Sequence, residues 1–159
     1  KALCVYSFEH YSFWEQEILK KLSPGAFGEN LTVSGLDEKQ VCLGDIFSFG
    51  NAKVQISLPR EPCHKLNKIF NKNDMACKFQ KTGFTGFYLR VLKGGTVKPK
   101  MALRLLQKGK HEITIAEAND LMFRKTKRNY ERIEKALSLN FLSESWKQGY
   151  RKRLEKRKN

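Results

Sequence analysis

In "KVQISL" polar and apolar residues alternate. Val54, Ile56 and Leu58 project one way, and Lys53, Gln55 and Ser57 the other. Comparable short runs are "NLTV", "DIFSFG", "GFYLRVL" and "MALRLL", parted by Gly, Asn, Asp or Pro. "LCVYSF" near the start reads as a mostly buried strand, and "LGD" and "LKGG" mark turns. Many short strands of this kind predict a small barrel or sandwich. The period changes in "YSFWEQEILKKLSPG", where Trp14, Ile18 and Leu22 fall on one helical face. Ser12 with Glu15 predicts a capping box there, and Pro24-Gly25 a stop. "FNKNDMACKFQKTGFTG" reads as a long polar connection, a kind of loop that often holds function.

After "KGKHEI" the pattern is helical to the end. Thr114 and Glu117 form a second capping box, opening a helix that runs through Phe123. Tyr130, Ile133 and Leu137 make one apolar stripe, and Trp146, Tyr150 and Leu154 another, with Ser143 as N-cap. Three helices this short bury little apart and are expected to pack as a bundle. The boundary is placed near 110–112. Residues 1–110 form a β-domain, and residues 111–159 a three-helix domain with the basic tail "RKRLEKRK". The fold class is mainly β with α.

Charge narrows the partners. The chain has 159 residues and a formal net charge of +15. Residues 113–159 hold 13 basic and 6 acidic residues, a net of +7, which leaves +8 on residues 1–112. Such a surface attracts polyanions in general. No helix-turn-helix signature accompanies the basic helices, so no specific nucleic acid is expected. No apolar stretch is long enough to cross a bilayer and no secretory signal is visible, so no membrane is expected. Four cysteines without a C-x-x-C pair suggest a reducing cytoplasm rather than a disulfide scaffold or a zinc site. The chain begins at Lys1 and runs straight into an apolar strand, so further residues are expected upstream.

The stretch "SLPREPCHKL" holds the main chemical candidate. Pro59 and Pro62 each fix φ and remove a backbone donor, so the strand cannot continue inside a sheet and Cys63 should emerge at its end. Arg60 or Lys65, if close in space, would favour the thiolate. The alternative is a strand-terminating loop whose cysteine is half-buried, and on the residues alone both readings stand. Cys4 and Cys42 sit in apolar runs and read as small core residues. Cys77, in the polar connection, has no positioned partner and is either exposed or packed.

In "PGAFGENL", Gly25 and Gly28 permit positive φ or close backbone approach. Asn30 can read a heterocycle edge or satisfy local backbone. Gly83 and Gly86 bracket a turn. Arg90, inside an apolar strand, is either at a rim or bound to an anion. There is no G-x-G-x-x-G, Walker or nucleophile-elbow sequence. His64 neighbours Cys63 and would point away from it, which makes it a poor base for a Cys–His hydrolase.

The ordered motifs "LCVYSFEHYSFWE", "PGAFGENLTVSGL", "VCLGDIFSFGNAKVQIS", "PREPCHKL" and "GFYLRVLKGG" resemble MOSC-domain proteins, named for the C-terminal domain of molybdenum cofactor sulfurases. The match is to the YiiM-type branch, whose three-helix (3-alpha) domain the tail resembles. The resemblance covers nearly the whole chain and implies a MOSC-type β-barrel with peripheral helices plus a C-terminal three-helix bundle.

It also implies the molybdenum cofactor (molybdopterin), with Cys63 of the P-R-x-P-C motif as catalytic residue and molybdenum ligand. Arg60 would orient the cofactor, Asn30 would face the pterin, and Arg90 matches the family's R-V-L arginine. Lys1 looks like the end of a family loop, H-G-G-P-D-[KR]-A, that lines the cofactor. Leu58 stands where the family often has Gln, and Phe87 where it often has Trp. The implied reaction is reduction of N-hydroxylated compounds (hydroxylaminopurines, amidoximes, hydroxylamines), with electrons from an external redox partner protein. A cofactor carrier or sulfur-transfer module using Cys63 is the alternative, and a homodimer is left open.

Overall fold

The computed structural model describes residues 3–124 and 129–156. Lys1, the first of the expected cofactor-lining residues, lies outside them. Six strands form one sheet: β1 (Leu3–Ser7), β2 (Leu31–Val33), β3 (Ile46–Phe49), β4 (Ala52–Pro59), β5 (Phe87–Lys93) and β6 (Leu103–Gln107). Their order is β2-β1-β5-β4-β3-β6. Only β1 and β2 run parallel; the other pairs are antiparallel. The sheet curls into a half-barrel whose edges are β2 and β6. Six α-helices are described: α1 (Tyr11–Ile18), α2 (Lys65–Phe70), α3 (Met75–Thr82), α4 (Ile115–Phe123), α5 (Tyr130–Leu137) and α6 (Glu144–Glu155).

Two apolar clusters hold these elements. The larger joins Val5, Val54, Ile56, Leu58, Phe87 and Leu89 of the sheet to Ile115, Ala118, Trp146 and Tyr150 of the C-terminal helices. The three helices therefore share the sheet's core. Each buried large apolar side chain there contributes on the order of 1.5–3 kcal/mol. Tyr150 Oη donates to the Ala118 carbonyl (3.0 Å), which satisfies the one polar atom this ring takes into the core. The expected Thr114 cap is present, its side chain accepting from Glu117 N–H at 3.0 Å.

The second cluster is aromatic: Tyr6, Tyr11, Trp14 and Phe27 with Leu66, Met75 and Phe79. Trp14 stacks on Phe79 with centroids 4.2 Å apart. Its Nε1 donates to Tyr6 Oη (2.6 Å), which donates in turn to the Phe84 carbonyl (2.9 Å).

Four local expectations need correction. The polar connection after Phe70 is largely helical, because Met75 and Phe79 lie one turn apart and fill this second cluster. The α1 start is at Tyr11, so Ser12 lies inside the helix and caps nothing; Glu15 reaches forward instead to Leu22 N–H (2.9 Å) and Lys21 (3.0 Å). Helix α1 also ends before Pro24-Gly25, at Leu19 in a left-handed conformation. In β4 only Lys53 faces solvent. Gln55 and Ser57 are buried, since Gln55 bridges the Gly44 carbonyl (3.0 Å) and Arg90 Nε (2.6 Å).

Candidate functional site

Strand β4 ends at Pro59, and Arg60 N–H still donates to the Gly86 carbonyl (3.0 Å). The chain then turns through Pro62 and presents Cys63 just before α2. Cys63 is exposed rather than half-buried. Its carbonyl accepts Leu66 N–H at 3.0 Å, which ties the cysteine to the turn that leads into α2.

Arg60 points back into the fold. Its Nη2 donates to the Phe27 carbonyl at 2.6 Å, while its Nη1 is buried with no hydrogen-bond partner. A buried guanidinium nitrogen left unpaired costs more than a neutral donor would, on the order of 1–3 kcal/mol or above. The arrangement suits an anionic acceptor arriving beside Arg60.

The loop before β2 is built around Glu29. This buried carboxylate accepts from Gly25 N–H (3.1 Å), Phe27 N–H (3.0 Å), Thr32 Oγ1 (2.9 Å) and the Tyr11 hydroxyl. Burial and the Glu29 hydrogen bond push the Tyr11 phenol up to about 12. Gly28 has φ of +76° and open space where a Cβ would sit, so it is conformation that calls for glycine there.

The same loop places Asn30. Its Oδ1 accepts from Cys4 N–H and its own N–H donates to the Cys4 carbonyl, both at 2.8 Å. Asn30 thus satisfies local backbone, and its Nδ2 has no partner among the described residues.

Tyr88 gathers the rest. The β1–β5 register sets it opposite Cys4. Burial raises its phenol, and Cys4, Arg60, Cys63 and Glu61 are all near enough to act on it electrostatically. Burial likewise raises the Cys4 thiol, against the lowering effect of the Arg60 guanidinium. Cys4 is buried as expected, yet it adjoins Arg60 rather than serving only as filler. Gly86 makes this closeness feasible, since a Cβ there would stand 2.4 Å from the Val5 carbonyl oxygen.

Cys63, Arg60 and Asn30 are thus brought to one region, with Cys4, Tyr88 and Glu29 as neighbours that the sequence did not single out. The nearest signal was Glu29, an acid between Gly28 and Asn30 in a tight turn. Arg90 is engaged elsewhere. It donates to Gln55 Oε1 and lies 5.1 Å over the Phe141 ring, tying the sheet to the α5–α6 link. Cys77 is exposed on α3 and Cys42 is buried.

A cavity of about 890 Å³ opens between the Pro24–Leu36 stretch and the β5–β6 connection. Asn30 borders it; Cys63 and Arg60 do not. Among the described residues no three His, Cys, Asp or Glu side chains group to hold a metal ion. Cys63 can supply one soft sulfur ligand, and Arg60 and Asn30 can donate to an anionic or heterocyclic group. This donor set fits a metal carried by an organic cofactor.

The MOSC domain family model matches residues 1–104, and that of the YiiM-like 3-alpha helix domain matches residues 113–157. The "Uncharacterized protein YflK" of Bacillus subtilis (strain 168) is 48% identical over 156 residues, covering 98% of this chain and 70% of the relative. The crystal structure of YiiM from Geobacillus stearothermophilus superposes with a TM-score of 0.91 at 40% identity, over 97% of this chain and 78% of that one. A protein named "Reductase" from Gibberella moniliformis (strain M3125 / FGSC 7600) is 33% identical over 112 residues, 68% of this chain and only 20% of that relative. The chain therefore belongs to the MOSC-domain family, associated with the molybdenum cofactor, and carries the YiiM-like 3-alpha helix domain.

Proposed function

We propose that this protein binds the molybdenum cofactor and reduces N-hydroxylated compounds such as hydroxylaminopurines, amidoximes and hydroxylamines. The observation that carries the proposal is the buried, unpartnered Arg60 Nη1 three positions before an exposed Cys63 at a proline-stiffened strand end. Cys63 would supply the protein's sulfur ligand, Arg60 Nη1 a charged donor, and Asn30 Nδ2 a donor to the pterin edge. Bound there, the cofactor supplies the two-electron reduction that cleaves the N–O bond. The chain's own part is to hold, orient and partly desolvate. Glu29 fixes the loop that positions Asn30 and the Phe27 carbonyl, and that carbonyl fixes Arg60. Burial raises the Tyr88 phenol beside this cluster. The name of the fungal relative, "Reductase", supports a reductive reaction.

The exposure of Cys63 favours one other reading, a carrier or sulfur-transfer module whose thiol meets another protein. The test uses protein purified from a host that makes the cofactor. Molybdenum and pterin are quantified, and turnover of 6-hydroxylaminopurine is followed with reduced methyl viologen. The expected result is stoichiometric cofactor, steady turnover, and loss of both metal and turnover in Cys63→Ser with an unchanged melting temperature. Cofactor binding without turnover would favour the carrier. A Cys63→Ser variant with full molybdenum and full activity would refute the ligand assignment.

A further inference from the structure

Beside Cys63 lies a surface that the cofactor site does not use. Segment 61–72 holds Lys65, Lys68 and Lys72 against one acid, Glu61. Lys65 and Lys68 are exposed on α2, and neither enters an ion pair among the described residues. Between them and Lys72 stands Ile69, 55% exposed. Lys72 Nζ donates to the Glu17 carbonyl (3.1 Å), which joins this helix to the end of α1. There Leu19 is 89% exposed and Lys20 follows it.

Leu19 adopts φ of +59°, a left-handed conformation that is costly for a leucine, and gains no burial in return. Three of the four acids close by are already committed, Glu61 being the fourth. Glu15 pairs with Lys21, and Glu17 and Asp74 both pair with Lys78. The surface is therefore apolar at two points and uncompensated in positive charge around them. That combination suits a small transient interface steered by opposite charge.

We propose that the Leu19–Lys20 corner and the exposed face of α2 form the docking surface for an acidic electron-donor protein, which feeds the site next to Cys63. The inference rests on the reductase reading. Each turnover would take two electrons from the donor and two protons from solvent, break the N–O bond, and release the reduced amine and water. Cys63 is exposed and lies two residues from Lys65, so a donor seated here lies next to it. A uniformly basic surface would attract the same donor anywhere, and the test separates the two cases.

Photoreduced flavodoxin serves as the acidic donor probe, and its oxidation by the cofactor-loaded protein is followed by stopped flow. The second-order rate constant is expected to fall as salt rises. Lys20→Glu/Lys68→Glu should lower it at least tenfold at low salt, while turnover with reduced methyl viologen is not reduced. Lys147→Glu/Lys152→Glu on α6 alters net charge equally and should change the flavodoxin rate less than twofold. Equal losses in both double variants would overturn the proposal, as would no loss in the first. A wild-type protein that turns over with viologen but accepts no electrons from flavodoxin would overturn it too. Absence of viologen turnover would instead strike at the reductase reading.

Discussion

Replacing Arg60 with methionine removes the guanidinium and keeps much of its apolar stem. In the cofactor-free protein two effects oppose each other. The charge-assisted bond from Nη2 to the Phe27 carbonyl, 2.6 Å, is lost. Such bonds are worth about 1.5–3 kcal/mol. The same change removes a buried Nη1 that has no acceptor, relieving a penalty of about 1–3 kcal/mol. The net expected change is within about 1 kcal/mol, or roughly 2–4 °C in melting temperature for a protein of this size. With cofactor bound the balance differs, because Nη1 would then have its acceptor. Arg60→Met should weaken cofactor retention by roughly 10- to 100-fold, the equivalent of about 1.4–2.8 kcal/mol. Thermal melts of the cofactor-free pair, with pterin release measured on the loaded pair, give both quantities. A drop of more than about 10 °C in the cofactor-free variant would mean that Nη1 already works within the fold. Unchanged pterin retention would mean that it does not meet the cofactor. Either result refutes the assignment.

Two further predictions concern the frame. Gly86→Ala places a Cβ 2.4 Å from the Val5 carbonyl oxygen at φ of +76°, so β1 and β5 must part. A loss on the order of 3 kcal/mol or more is expected, combining backbone strain with the clash; a melting temperature within 2 °C of wild type would refute the close approach. Trp146→Ala empties a fully enclosed indole from the core shared by sheet and helices, at a cost of roughly 3–5 kcal/mol. Unfolding should stay a single transition followed alike by far-ultraviolet circular dichroism and by Trp14 fluorescence. Two separated transitions would show that the C-terminal helices have a core of their own.

Local patterning determined most of the elements. Period-two runs marked β2 to β6, and period-3.6 stripes with a Thr114 cap marked the C-terminal helices, because these signals depend on neighbours within one turn or one strand. The prolines around Arg60 determined that the chain leaves the sheet there and that Cys63 follows the strand end, while its exposure was decided by the tertiary structure. What lies between distant segments was not legible. "KVQISL" shows alternation, yet nothing in it says that Gln55 will be covered by Arg90 and the Gly44 carbonyl. The 70–86 stretch looks polar because its helix α3 buries only one thin face, Met75 and Phe79, against the aromatic residues Tyr6, Tyr11, Trp14 and Phe27 far back in the chain. Cys4 reads as core because its immediate neighbours are apolar, and only the β1–β5 pairing and the path of Arg60 bring it beside Tyr88. The unpaired Nη1 is the clearest case. Whether a donor has an acceptor is a property of the surrounding three-dimensional cage, and no spacing along the chain records it.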